Sequence, residues 1–175
     1  MSMLDPISAL REAFSDAVLD AGEWHGDTFV TVATADLVAA AQYLRDTPGL
    51  GYNFLVDVVG IDYLQMPGHA GPRFGVLYHV YSMLTNRKLR LKVLVDEGEP
   101  VPSVTGLWPT ANWQEREVYD MFGIEFSDHP DLRRILMTED WDGHPQRKDY
   151  PLGYETVQFS FNFDEIQEHK PYAKE

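Results

Sequence analysis

The sequence predicts an α+β fold: a two-layer domain with helices on one face of a mixed sheet, then a helix-containing segment of unusual composition and an extended C-terminal arm. Three observations carry this. Asp5-Pro6 and Thr34 each open a run with apolar residues at helical spacing. From Leu89 to Val95 the side chains alternate, Leu89, Leu91, Val93 and Val95 one way and Lys88, Arg90 and Lys92 the other, so the sheet there meets a core on one side only. With 175 residues and 44% hydrophobic side chains there is material for one core, and two full domains would be cramped.

Asp5 is the expected N-cap, with proline at the first helical position and Ile7, Leu10, Phe14 and Val18 at helical spacing as far as a stop at Gly22. Thr28 to Val32 reads as a short strand. A second helix from Thr34 carries Leu37, Ala40, Ala41 and Leu44 to Pro48-Gly49. The apolar run from Asn53 to Ile61 predicts a strand buried on both faces. After a Pro/Gly loop from Met66 to Pro72, Phe74–Met83 and Leu89–Val95 form an expected hairpin across Thr85 and Asn86. Residues 1–110 are therefore read as the α+β domain, 111–152 as a segment packed on it, and 153–175 as an arm in which Val157, Phe159, Phe161 and Phe163 alternate with polar residues.

A net charge of −14 works against nucleic acid or anionic lipid as a general partner. The absence of cysteine excludes disulfides, thiolate nucleophiles and Cys-ligated iron–sulfur clusters on this chain. No window approaches the roughly 18 apolar residues of a spanning helix, and MSMLDPISALREAF lacks the pattern of a signal peptide, so a soluble, cytosolic chain is expected.

The chemistry concentrates between Trp113 and Pro151. Asn112 and Glu115 predict a capping box for a helix from Trp113 to Phe122 that ends at Gly123. On a wheel Glu115 falls with Val118, Tyr119 and Phe122, which aims a carboxylate at the core. Arg116, Glu117 and Asp120 fall on the opposite side with Trp113, as a charged patch. Pro130 begins a turn expected to put Leu132, Ile135 and Leu136 inward and Arg133 and Arg134 outward. The arginine pair has two readings, neutralising local acids such as Glu117, Asp120, Asp128 and Asp131, or gripping a partner protein. His129 and His144 with nearby aspartates invite a metal reading, but no helical ligand pair is present and both precede proline. No catalytic carboxylate pair sits beside a nucleophile. The basic strand face, Arg87 to Lys92, is read as edge protection, with an acidic docking partner as the alternative.

The run EREVYDMFGIEF, then HPDLRRILM, then DWDGHPQRKDYPL, resembles the signature of the 30 kDa subunit family, the C subunits, of the proton-pumping NADH:quinone oxidoreductase, respiratory complex I. GYETVQFSFN is similar to the arm that follows it in many bacterial members. The resemblance implies a peripheral-arm subunit with no cofactor, catalytic group or metal of its own. FMN, iron–sulfur clusters, NADH and quinone would be used on other subunits. Its implied partners are the quinone-site subunit and the iron–sulfur subunits of the peripheral arm, its contact with the membrane comes only through the complex, and it lies on the cytoplasmic side. The signature residues are Glu115, Arg116, Glu117, Asp120, His129, Arg133, Arg134, Trp141, His144, Arg147, Lys148, Tyr150, Tyr154 and Phe159. Among them Arg133, Arg134, Arg147 and Lys148 are expected to anchor by charge, and Trp141, Tyr150, Tyr154 and Phe159 as aromatic anchors. Two alternatives stand beside this: the equivalent subunit of a related membrane hydrogenase or other-donor quinone oxidoreductase, and a stand-alone metal-dependent hydrolase built on His129 and His144.

Overall fold

A computed structural model describes residues 4–151. The element order is α1 (Pro6–Ala13), β1 (Val18–Trp24), β2 (Asp27–Val32), a 3-10 turn (Thr34–Asp36), α2 (Leu37–Asp46), β3 (Phe54–Asp62), β4 (Phe74–Ser82), β5 (Arg87–Val95), β6 (Val101–Pro102), α3 (Ala111–Phe122) and β7 (Phe126–Ser127). Five strands form one sheet in the order β1-β2-β5-β4-β3. Every pairing in it is antiparallel except β2 with β5, so the sheet is mixed as expected.

Asp5 caps α1 by accepting the Ser8 N–H at 2.9 Å, with Pro6 at the first turn. The helix ends at Ala13, not Gly22. Val18–Trp24, expected as its last turns, is instead an edge strand paired with β2. The hairpin closes through His25 (φ 50°) and Gly26 (φ 83°), two left-handed residues that suit a two-residue turn. Phe14 keeps its place against the core, where its ring meets Tyr43 of α2 edge-on at 5.6 Å.

The strongest alternation belongs to β4 and β5. Val76, Tyr78, Val80, Leu89, Leu91 and Val93 point into one core with Leu10, Leu37, Ala40, Ala41 and Leu44 of the helices. Burying a Leu- or Val-sized side chain contributes about 1.5–3 kcal/mol, so this face is what holds the helices to the sheet. By contrast β3 is not buried on both faces. It is an outer strand whose Phe54 and Val56 are each 49% exposed, because the helical layer covers one face only and β4 occupies one edge only. Its Gly60 lies under α3. A Cβ there would sit 2.5 Å from Cδ2 of Phe122, so glycine is what lets the helix settle on the strand. The connector after β5 is fixed by the short parallel pair β6–β7.

Candidate functional site

Residues 128–151 contain no helix or strand, yet they are tightly placed on α3. Two buried charges of that helix hold the first half. Asp120 Oδ2 accepts main-chain N–H groups from Ile135, Leu136 and Met137 at 3.0, 2.7 and 2.8 Å, and its Oδ1 accepts Arg134 Nη1 at 2.8 Å. Burial pushes the Asp120 carboxyl up, but the three N–H donors and the guanidinium outweigh it and hold it below the ordinary carboxylate value. Arg116 Nε and Nη2 donate to the carbonyls of Arg133 and Arg134 at 3.0 and 3.1 Å, with the guanidinium over the Trp113 ring.

The second half closes the helix end. An α-helix leaves its last carbonyls without intrahelical donors. Here His144 Nδ1 pairs with Asp120 O at 2.9 Å, Gln146 N–H donates to Met121 O at 3.0 Å, and Arg147 Nε donates to Phe122 O at 2.6 Å. Gly123, left-handed at φ 72°, turns the chain out of the helix, and a Cβ on it would sit 2.6 Å from the His144 ring. Burial lowers the His144 pKa, which favours the neutral ring.

A third cluster ties the strip to the sheet. Arg73 pairs with buried Asp62 at 2.9 Å, with Asp149 at 2.8 Å and with Glu97 at 3.1 Å, while Arg147 reaches the other oxygen of Glu97 at 2.6 Å. Asp62 also accepts the Lys148 N–H at 3.0 Å. Burial pushes Asp62 up, but Arg73 and the Lys148 and Leu64 amides hold it low. Sequence reasoning stopped at Ile61 and missed this cluster. The signal was an aspartate closing an apolar strand, a charge that burial obliges to find a partner.

Several expectations change. Arg116 and Asp120 are buried, not part of an outer patch, whereas Glu117 stays exposed. Arg134 turns inward; Leu136, expected inward, is 60% exposed. Arg133 does point out, 64% exposed and paired with Asp131. Both arginines therefore pair with local acids of the expected set. The capping box is not formed. The helix begins at Ala111, Asn112 lies inside it, and Glu115 bonds the connector before the helix, taking Ser103 Oγ–H at 2.7 Å and Val104 N–H at 2.8 Å. His129 and His144 each spend ring nitrogens on main-chain groups, and among the described residues no cluster of three or more acids and histidines could hold a metal. Trp141 and Tyr150 are half-buried, with Tyr150 Oη donating to Asp142 O at 3.4 Å, and Lys148 is exposed. Tyr154, Phe159 and the arm from 153 lie outside the described residues.

What emerges is a surface strip locked from beneath, with Arg133, Leu136 and the 62% exposed Trp113 left facing outward. Residues 30–156 match the family described as respiratory-chain NADH dehydrogenase, 30 kDa subunit. The NADH-quinone oxidoreductase C subunit of Roseiflexus sp. (strain RS-1) is 53% identical over 170 residues, covering 97% of this chain and 95% of that protein. Its counterpart in Geobacter sulfurreducens, of the same name, is 47% identical over 144 residues, covering 82% of this chain and 86% of its own. Among solved structures, the trypsin-resistant fragment (1–134) of Nqo5 superposes with a TM-score of 0.64 at 34% identity, over 73% of this chain and all of the fragment. A chain of an archaeal respiratory membrane complex, the membrane-bound sulfane sulfur reductase, shares the fold at a TM-score of 0.66 and 16% identity over 82% of each. Matched along most of its length, and about half identical to named relatives over nearly all of it, this chain belongs to the 30 kDa subunit family of the respiratory-chain NADH dehydrogenase, the family of the NADH-quinone oxidoreductase C subunits.

Proposed function

We propose that this chain is a cofactor-free scaffold in the peripheral arm of NADH:quinone oxidoreductase, on the cytoplasmic side of the membrane. It holds the quinone-site subunit and the iron–sulfur subunits in register, while NADH oxidation through FMN and iron–sulfur clusters to quinone proceeds on those other chains. The domain of residues 1–110 is the platform, the strip within 111–152 is the docking surface, and the arm of 153–175 extends it. The observation that supports this reading is the strip itself. Its irregular backbone is fixed by buried charges of α3, and the fixation leaves Arg133, Leu136 and Trp113 each exposed. A rigid, irregular surface carrying an arginine and large apolar groups is what a buried interface core needs, since such anchors carry most of the binding energy. No described helix is long and apolar enough to cross a membrane, so membrane contact comes through partners in this reading.

The experiment is made in the whole complex. One variant lacks 153–175; another carries Arg133→Ala with Lys148→Ala, sparing Arg134 because it holds the fold. Copurification of the peripheral-arm subunits and quinone reductase activity should both fall. Full assembly and activity in both variants would sink the proposal.

A further inference from the structure

Beneath the 102–105 connector sits a carboxyl group that docking does not use. The side chain of Glu115 is completely buried between α3, the connector and the loop after β7. Among the described residues no lysine or arginine nitrogen lies within ion-pair reach of it. A buried carboxylate without a cation is unstable as an anion and tends to hold its proton instead.

The groups facing Glu115 are few, and they define a path. From the connector come Ser103 Oγ at 2.7 Å and the Val104 N–H at 2.8 Å. From the loop after β7 comes His129, also fully buried, with Nε2 3.9 Å from Glu115 Oε2. Its Nδ1 accepts the Asp131 N–H at 3.1 Å and its Nε2 pairs with Asn112 O at 3.1 Å, so both ring nitrogens already have main-chain partners. From β4 comes Tyr78, whose fully buried hydroxyl has no hydrogen-bond partner and feels the Glu115 charge. Along α3 itself, the neighbouring Arg116 is turned to the carbonyls of Arg133 and Arg134.

Ser103 is the outlet. Its Oγ lies 2.8 Å from Thr105 Oγ1, and both residues are half-buried at the floor of an open cleft walled by Pro109, Asn112 and Pro130. Two hydroxyls in series thus join a sealed carboxyl group to solvent. We propose that Glu115 is a proton-exchange site, loaded and unloaded through Ser103 and Thr105, which makes the closure of the connector on α3 responsive to pH.

The transfer balances without any further reactant than water. Glu115 Oε2–H breaks as Ser103 Oγ takes that proton; Ser103 gives its own to Thr105 Oγ1, and Thr105 gives its own to a water in the cleft. Each hydroxyl ends neutral, the carboxylate is left with hydrogen bonds from Ser103 Oγ–H and Val104 N–H, and reversal reloads it. Burial, the largest influence, lifts the Glu115 pKa to about 7 against the lowering by those two bonds. Loss of the proton puts an anion beside the buried Tyr78 hydroxyl, which has no hydrogen-bond partner.

The test uses the full chain with glutamate labelled at the carboxyl carbon and its NMR shifts followed with pH. One carboxyl should titrate between about pH 6 and 8, apart from ordinary glutamates near 4.3, and should vanish in Glu115→Gln. Ser103→Ala removes a bond to the ionised form and should move that midpoint up by at least about half a unit, which identifies the site even if Glu115→Gln does not fold. Thr105→Val should leave the midpoint in place and broaden the resonance as exchange slows. A spectrum with every glutamate titrating below about pH 5.5, or a midpoint unmoved by Ser103→Ala, overturns the site. An equally sharp resonance in Thr105→Val overturns the outlet.

Discussion

Arg134 and Asp120, fourteen residues apart, meet at 2.8 Å under the strip, and the same carboxylate gathers three consecutive main-chain N–H groups through its other oxygen. This one carboxylate fixes the path of residues 134–137, so what the strip shows to the outside depends on a fully buried charge. Asp120→Ala leaves three amides without their acceptor and the half-buried Arg134 guanidinium with only the Trp141 and Gly143 carbonyls. Removing one member of such a pair typically costs about 3–5 kcal/mol. Urea unfolding should report a loss of that order, and trypsin should cut after Arg133 and Arg134 far faster than in the parent chain.

Acid should have a related effect. Asp120 is held below its ordinary value when folded, so its contribution is present above the unfolded carboxylate pKa of about 3.9 and is lost as pH falls through the lower folded value. The expected outcome is loss of hydrogen-exchange protection at the Ile135, Leu136 and Met137 amides below about pH 3.9, before the β4 and β5 amides open.

Glu115 has the opposite sign. Its folded pKa is raised, so the stability it permits is full below the unfolded value of about 4.3 and is lost as pH rises through about 7. Glu115→Gln mimics the protonated group and should match the parent near pH 4. By pH 8 it should exceed the parent by up to about 3 kcal/mol, measured by chemical denaturation at each pH.

Two glycines should refuse a methyl group for different reasons. Gly60→Ala drives a Cβ to 2.5 Å from the Phe122 ring, an overpacking expected to cost about 1–3 kcal/mol and to lift α3 off β3. Gly123→Ala adds left-handed strain of about 1–2 kcal/mol and collides with His144, and should raise exchange at the Gln146 amide specifically. Equal exchange at Gln146 in the parent and the variant would contradict the closure of the helix end by the strip.

Arg133 should separate fold from docking. It is exposed and its side chain hydrogen-bonds only to Asp131 among the described residues, so Arg133→Ala should leave the melting temperature of the isolated chain unchanged while weakening copurification with the peripheral-arm subunits. An unchanged yield of complex would assign Arg133 to solvent alone.

Periodicity made α2, β4 and β5 legible, because each shows one face to the core and carries the full signal of its own spacing. For Val18–Trp24 the sequence misled. Val18 continues the helical spacing of Leu10 and Phe14, and only the pairing with β2, a non-local fact, makes it a strand. The strip shows a deeper limit. A helical wheel separates the core-facing side of α3 from the rest, and on that criterion Arg116 and Asp120 are outside. The later residues then cover that side and bury them, so their environment is made by a part of the chain with no period to read. Leu136 and Arg134 exchanged places for the same reason: Asp120 dictates the backbone, and the backbone decides which side chain is left out. The family was legible despite this, since it rests on the identity of those residues and not on where they point.

The one parallel pairing within the five-stranded sheet, β2 with β5, sets a timetable for synthesis. Phe29 must wait for Arg90, its register partner, before the inner edge of the first hairpin is satisfied. At the usual elongation rate of about 5–20 residues per second, that interval lasts several seconds, during which the inner edge of β2 is unpaired as well as the outer edge of β1. Newly made chains therefore pass through a period when the N-terminal hairpin is open to strands of other nascent chains. A shortage of chaperone should lower the yield of this protein before it affects any assembled complex.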